Sequence, residues 1–357
     1  MTGPGAERSV GVLGMGTYLP WATRTNSDVA RATGVSAEWI SERTGVHTRH
    51  IAAAHQAASD LAAAAVRSAA RAAGIDPRAI GLLVCATSTP DELGPSTACR
   101  IQARVGASRA VALDIGAACS GWLFATKVAH DWLRADSSVG HAVVVGVETY
   151  SKFLDPTDRG TAVLFADGAA AAVLGTVDPP NGFTDFALGS DGTLADRILI
   201  PAGGSRAPAS TDTLAMGGHR IRMDGRAVSR FISDTFPREV HSALERNGLR
   251  MSDIDRLVAH QPNPVLLRRL GRELGLADDR VTVIGDAVGN IGAASTPFAL
   301  ATAAATAPGL RPGDLVLITV FGAGMTWGTA LLRWSGAPSL LAATAAAQAT
   351  LLERSPS

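Results

Sequence analysis

"SDLAAAAVRSAARAAGIDPRAIGLLVCATS", residues 59–88, decides the fold, because the chain repeats its plan further on. Residues 233–263 read "SDTFPREVHSALERNGLRMSDIDRLVAHQPN". Each stretch opens on Ser-Asp, a pair suited to a helix N-cap. Each continues with helical amphipathic spacing to a glycine, Gly74 or Gly248, of the kind that ends helices in a left-handed turn. A short linker, an isoleucine (Ile80 or Ile254) and an apolar strand follow. The two glycines are 174 residues apart. Beyond them, "AVALDIGAACSGWLFATKVAHDWL" and "VTVIGDAVGNIGAASTPFALATAAA" both read strand, turn, helix. "HAVVVGVE" and "DLVLITVFGAG" then read as buried strands. Any two α/β segments share something of this rhythm, but here the order and the offset both agree. The expectation is a duplicated α/β chain with mostly parallel sheets, its halves at 1–178 and 179–335 joined near "VDPPNG". Residues 336–357, rich in alanine, read as a tail.

Composition bounds the rest. The chain has 357 residues and formal net charge zero; 46% of residues are hydrophobic and 18% charged. Balanced charge gives no reason to expect nucleic acid or an anionic membrane as partner. The opening "MTGPGAER" lacks the apolar core of a signal peptide, and no run is long and apolar enough to span a bilayer. Three cysteines, Cys85, Cys99 and Cys119, carry no metal-type spacing, so a reduced, cytoplasmic protein is expected, with no metal site.

The duplicated turns hold the unusual residues. Strand carboxyl ends in α/β sheets are where ligands bind. Cys119 lies in "DIGAACSGW" between a strand and a helix, where free N–H groups and the helix dipole favour a thiolate. Cys85, in mid-strand, and Cys99, in a helix, read as buried structural residues. His260 ends a strand, and Pro262 and Pro264 stiffen the loop after it. Asn290 stands in "VGNIGAAS", the duplicate of the cysteine turn; it is either plain turn chemistry or an amide with two donors to offer. "FGAGMTWGTALLRW", residues 321–334, is a glycine-bearing loop that is either a tight turn or a close approach to ligand.

Taken together, "GMGTYLP", "EWISERTGVHTRHIA", "AACSGW", "DPTDRGTAVLFADGAAAAVL", "HQPN", "GNIGAAS" and "FGAGMTWG" resemble the β-ketoacyl–acyl carrier protein synthase III family of the thiolase superfamily, over about residues 9–335. The resemblance implies a five-layered α-β-α-β-α fold, a homodimer and a Cys119–His260–Asn290 site. Cys119 would take an acyl group from acyl-CoA or acyl carrier protein. His260 and Asn290 would hold the malonyl thioester carbonyl while carbon dioxide leaves. The N–H groups of Cys119 and Ala323 would form the oxyanion hole. No cofactor is implied, coenzyme A arriving as a thioester substrate. Trp39 and Arg159 would stack on its adenine and Arg43 would meet its phosphates, with Gly225 and Asn263 also in contact. Without the resemblance, Trp39 reads as a core helix residue and the two arginines as a solvated face.

The departures are informative. Pro262 stands where the family usually has alanine. Val265 stands where an arginine for carrier docking often lies, which shifts docking toward Arg230, Arg268 and Arg269. Gly94 and Ser229 replace aromatic positions and imply a roomier acyl pocket. These features lead to a condensing enzyme that primes fatty-acid or polyketide synthesis. Two other readings stand beside it. One is an acyltransferase of the same fold that passes the acyl group to an alcohol, amine or thiol without decarboxylation. The other is a silent partner subunit, which the presence of Cys119 disfavours.

Overall fold

The structure is a computed structural model that describes residues 8–342. Two sheets form its frame. The strands of the first are β1 (Val10–Tyr18), β2 (Ile80–Ala86), β3 (Val111–Ile115), β4 (His141–Thr149) and β5 (Asp167–Thr176). The second holds β6 (Gly182–Ser190), β7 (Arg256–Ala259), β8 (Val281–Thr282), β9 (Leu315–Gly322) and β10 (Thr326–Arg333). Their spatial orders are β1-β5-β4-β2-β3 and β6-β10-β9-β7-β8. Strand for strand, these are the same path.

The pairings also agree. In each sheet the β2-type strand lies parallel to both neighbours, and the two pairings beyond are antiparallel. The sheets are therefore mixed rather than mostly parallel as the alternation suggested. The reason is local: β4 and β5 are joined by residues 150–166, which carry no α-helix to make a crossover, so the chain returns antiparallel.

Helices complete the layers. Helices α1 (Asn26–Thr33) and α2 (Ala37–Thr44) precede α3 (Ala58–Ala73) and α4 (Thr97–Val105), and the last two cover one face of the first sheet. Helices α6 (Gly225–Arg246) and α7 (Pro264–Glu273) cover the far face of the second. Between the sheets lie α5 (Gly121–Ala135) and α8 (Ser295–Ala305), each touching both. Helix α8 is apolar nearly all round, as a helix enclosed on every side must be. The strands obey the pleat: Ala142 and Val144 of β4 face the central layer, while Val143 and Val145 face α3.

Several local expectations need correction. Ser59 and Asp60 lie inside α3, whose N-cap is Ala57; Asp60 reaches back to the Ala57 N–H at 2.8 Å. Ser233 and Asp234 lie deep within α6, which starts at Gly225 after the N-cap Asp224, whose side chain accepts from Ala227 N–H. The motif "RAVSRFI" preceding Ser233 is itself helical, so the cap came earlier than the Ser-Asp signal. The glycines behave as read: Gly74 and Gly248 have φ of 68° and 62°. Part of the tail is also fixed, since Ser339–Leu340 form β11, a short parallel strand on β1. Residues 343–357 lie outside the described residues.

Close approach explains the alanine-rich α3. A Cβ on Gly16 would lie 2.2 Å from Ala69 N, and one on Gly14 would lie 2.4 Å from Ala73 N. The helix thus rests directly on the backbone of β1. Gly16→Val should destabilise the protein by at least about 1–3 kcal/mol through overpacking, read as a lowered denaturation midpoint.

Candidate active site

The turn after β3 is the first element of the site. Residues 118–120 make one 3-10 turn before α5, with Ala118 at φ 45°. Its duplicate is residues 292–294, with Gly292 at φ 51°, 174 residues later. Cys119 therefore corresponds to Ala293, and Asn290 sits three residues before the true equivalent rather than on it. The positive φ at Ala118, strained for a residue with a side chain, turns Cys119 toward the interior.

Cys119, His260 and Asn290 line a single cavity of about 510 Å³. Cys119 is 7% exposed, His260 3% and Asn290 5%. His260 N–H donates to Thr319 carbonyl at 2.9 Å, extending the β7–β9 ladder by one residue. Its Nδ1 is buried without a partner, so Nε2 is the nitrogen available to a ligand. Asn290 is clamped on both sides. Its N–H donates to Leu164 carbonyl and its carbonyl accepts from Ala166 N–H, both at 2.9 Å. Its Oδ1 accepts from Gly292 N–H at 3.0 Å, which leaves the amide NH2 to face the cavity.

Burial sets the charge state. The His260 imidazole is pushed down to about 3 by desolvation and is neutral at physiological pH. Burial, with the nearby Glu148 carboxyl, pushes the Cys119 thiol up to about 12. The sequence led us to expect a ready thiolate at a helix N-terminus. The opposing effect is larger here, because the sulfur is buried away from bulk water and a carboxyl stands nearby. The resting pair is thiol and neutral imidazole.

The cavity wall continues to the surface through other residues the sequence singled out. Ala323, beside Cys119, belongs to it, and a Cβ on its neighbour Gly322 would lie 2.7 Å from Ala117 O. Trp39, Arg43, Arg159 and Gly225 line the outer part, as do Ser229 and Arg269. Asn263 lines it too, but its polar atoms are engaged: Oδ1 caps Leu266 N–H at 2.9 Å and Nδ2 donates to Arg43 carbonyl at 3.0 Å. Arg230 is exposed on α6 outside the cavity. Arg268 also lies outside it and faces Asp286 at 3.4 Å. Gly94 lies on an exposed turn away from the cavity, so any influence on an acyl group would have to come from a second copy of the chain. Cys85 is buried as expected, whereas Cys99 is exposed on α4. Among the described residues there is no metal-ligating cluster, and no helix is long and apolar enough to cross a membrane.

Two positioning residues escaped the sequence reading. Gln261 follows His260; its Nε2 donates to Ala259 and Thr282 carbonyls at 3.0 Å, and its Oε1 accepts from Ile284 and Gly285 N–H. It rivets the histidine loop to the strand beside it. Arg49, 1% exposed, donates to Val163 carbonyl and Asn26 Oδ1, and so holds the segment against which Asn290 is clamped. A glutamine between a strand-ending histidine and a proline was a weak signal. Arg49 gave none beyond its place in "GVHTRHIA".

Comparison with known proteins places this arrangement in a class and then a family. Two family models match: 3-oxoacyl-[acyl-carrier-protein] synthase III at residues 113–192, and the C-terminal region of the same synthase at 244–334. The chain is 43% identical over 327 residues to β-ketoacyl-[acyl-carrier-protein] synthase III of Symbiobacterium thermophilum, covering 92% of this chain and 98% of the relative. It is 41% identical over 325 residues to an acetoacetyl CoA synthase of Streptomyces sp. strain CL190, covering 90% and 98%. Among solved structures, the priming β-ketosynthase of a polyketide biosynthetic pathway aligns with TM-score 0.84 at 31% identity, covering 94% of this chain and all of that one. The architecture is thus the five-layered thiolase-like α/β fold. The chain belongs to the β-ketoacyl–acyl carrier protein synthase III family.

The support of the histidine loop can be tested directly. Gln261→Ala should cost about 1–3 kcal/mol by leaving buried polar groups unpaired, and should lower turnover more than acyl loading. Urea unfolding and separate assays of the two half-reactions would check this.

Proposed function

We propose that this condensing enzyme, which primes fatty-acid or polyketide synthesis, carries its acyl intermediate on Cys119. An acyl group passes from acyl-CoA or an acyl carrier protein to Sγ. Coenzyme A or the carrier leaves as the thiol, and the backbone N–H groups of Cys119 and Ala323 face the oxyanion. A malonyl thioester then enters with its carbonyl oxygen between His260 Nε2–H and the Asn290 amide. Its C–C bond to the carboxylate breaks and carbon dioxide departs. The carbanion adds to the acyl carbonyl, and Cys119 leaves as thiolate. Two neutral donors suit this step, because they stabilise the enolate without supplying a proton to quench it. The observation that carries the reading is that Cys119, His260 and Asn290, from three separate turns, line one buried cavity.

The outer cavity supports a coenzyme A thioester as donor. Trp39 and Arg159 flank its mouth with a flat ring and a planar cation, and Arg43 and Arg269 add charge for phosphates. Arg230, Arg268 and Arg269 supply a basic face for an acidic carrier protein. Ser229 widens the cavity relative to an aromatic residue, favouring acyl groups larger than acetyl. We infer a homodimer partner against the β3 edge, which carries the exposed Val111, and over the loop of Gly94 and Leu93, the latter 86% exposed. The halves at 1–178 and 179–335 would then be the units of duplication, and a cytoplasmic location would suit such substrates. Retention of both donors favours condensation over simple acyl transfer.

Cys119→Ser should abolish or severely reduce acyl loading across an acyl-CoA panel, read by intact-protein mass spectrometry. Fastest loading by acetyl-CoA would defeat the wide-pocket reading. His260→Ala should leave loading largely in place and stop release of carbon dioxide from malonyl thioester. Loading lost with the imidazole would instead make His260 the thiol's base. Because the ring is already neutral well above about pH 3, decarboxylation by the wild-type enzyme should be flat with pH from mildly acid to mildly basic solution.

A further inference from the structure

The steps above leave one buried carboxyl without a task. Glu148 ends the apolar run of β4 and is fully buried. Its partners are N–H and O–H groups: Ser88 N at 3.1 and 3.2 Å, Thr89 Oγ1 at 2.8 Å and Ala293 N at 3.5 Å. Two residues on, Tyr150 is also buried, its ring packed against Phe165 with centroids 4.9 Å apart. The Tyr150 hydroxyl lies 4.0 Å from Cys119 Sγ and stands close to the Glu148 carboxyl. Both groups converge on Gly292, where a Cβ would lie 2.6 Å from Tyr150 Oη and 2.7 Å from Glu148 Cγ. Sulfur, phenol and carboxyl thus lie in succession on the side of Cys119 served by β4.

We propose that Tyr150 and Glu148 form the proton relay that activates Cys119 for acyl loading, with Tyr150 the catalytic residue at the sulfur and Glu148 the positioning residue and proton store behind it. The inference rests on Cys119 being the acylated residue. In the step, the Sγ–H bond breaks and its proton passes to Tyr150 Oη, while Tyr150's own proton passes to a Glu148 carboxylate oxygen. Sulfur bonds to the thioester carbon, and the bond from that carbon to the leaving sulfur breaks. The departing thiolate takes the proton back from Glu148 through Tyr150, so no proton is gained or lost overall. This relay answers the difficulty that burial creates for the thiol, and it frees His260 to remain a neutral donor.

The surroundings define the pH dependence. Titratable groups near Glu148 are Cys119 from the turn before α5, Tyr150 from its own strand's extension, and Cys85 from β2, all three pushed up by burial. Asp91 and Asp114 face Cys85 from the neighbouring loop and from β3. Asp167 of β5 pairs with Thr149 across the sheet and is bonded to Ser151 and Ala52 N–H. His260, across the cavity, is neutral. Burial pushes the Glu148 carboxyl up to about 8. The proton-accepting carboxylate therefore accumulates as pH rises through that value.

The test is the reactivity of Cys119 as a function of pH, measured with iodoacetamide on the free enzyme and with an acyl-CoA panel by rapid quench and intact mass. In the wild type, both rates should rise from about pH 6 to about pH 9, following one ionisation. Glu148→Gln should lose that rise, and Tyr150→Phe should slow acyl loading at least about tenfold more than it slows malonyl decarboxylation. Tyr150→Phe changes one atom and keeps the ring packing, so it serves where Glu148→Gln fails to fold. Wild-type pH profiles in both variants would overturn the relay, as would equal loss of loading and decarboxylation. Failure of every acyl-CoA to load the wild type would count against the proposed function, while the iodoacetamide profile would still decide the relay.

Discussion

Everything in the site depends on two places where backbone touches backbone without side chains between. The inner end of β4 runs beneath the turn of the second half: a Cβ on Gly146 would lie 2.3 Å from Ala293 O. The inner end of β9 runs beneath the turn of the first: a Cβ on Gly322 would lie 2.7 Å from Ala117 O and 2.8 Å from Ser120 N. Each half thus braces the turn of the other. Side chains here would push the two turns apart, and Cys119 and Asn290 would no longer share a cavity. Close packing of this kind resists change by even a methyl group. It fixes the distance between Cys119 and Asn290 more firmly than hydrogen bonds from flexible side chains could.

The same crossing explains the electrostatics. With α5 and α8 filling the space between the sheets, the turns before them are removed from solvent. A low-dielectric setting disfavours charge on every group it holds. Imidazole loses its proton and thiol keeps its own, so neither acts as an ion at rest. For the proposed enolate this would be an advantage, because neutral donors count for more where water is excluded. For the thiol it is an obstacle, and the polar groups at the end of β4 are placed where that obstacle arises.

Much of this was legible in the residues, for a physical reason. Glycines at helix ends obey local backbone rules, and an isoleucine opens or shortly precedes the next strand in each half, so the repeat from Gly74 to Gly248 could be seen without coordinates. Cys119, His260 and Asn290 were legible because each is a polar or reactive residue where a strand ends or a turn leads into a helix. What failed was local in another way. Ser-Asp is a good cap wherever a helix happens to begin, but α6 continues through it because its buried stripe, including Ile232, Phe236 and Val240, outweighs a cap preference. The mixed sheet was hidden because the return from β4 to β5 depends on a missing helix, which no residue announces. The thiol's environment was misjudged because a helix N-terminus is visible in sequence, whereas the extent of burial around a sulfur is not.

Duplication also shows where the halves had to differ. At the shared offset, Ala293 takes the place of Cys119 and Gly322 the place of Glu148. Neither exchange is free. A side chain at position 322 would strike the cysteine turn, so an acid can stand only at the β4 end. Gly292, with φ of 51°, leaves room for Tyr150 and Glu148, where even a methyl group would collide with both. Its counterpart Ala118 tolerates a side chain because Gly322 lies opposite. One crossing is therefore stripped bare to seat Cys119, and the other is filled with polar groups that reach the same sulfur from behind. A symmetric pair could do neither, since two acids would crowd both turns and two glycines would leave the buried thiol without a proton acceptor.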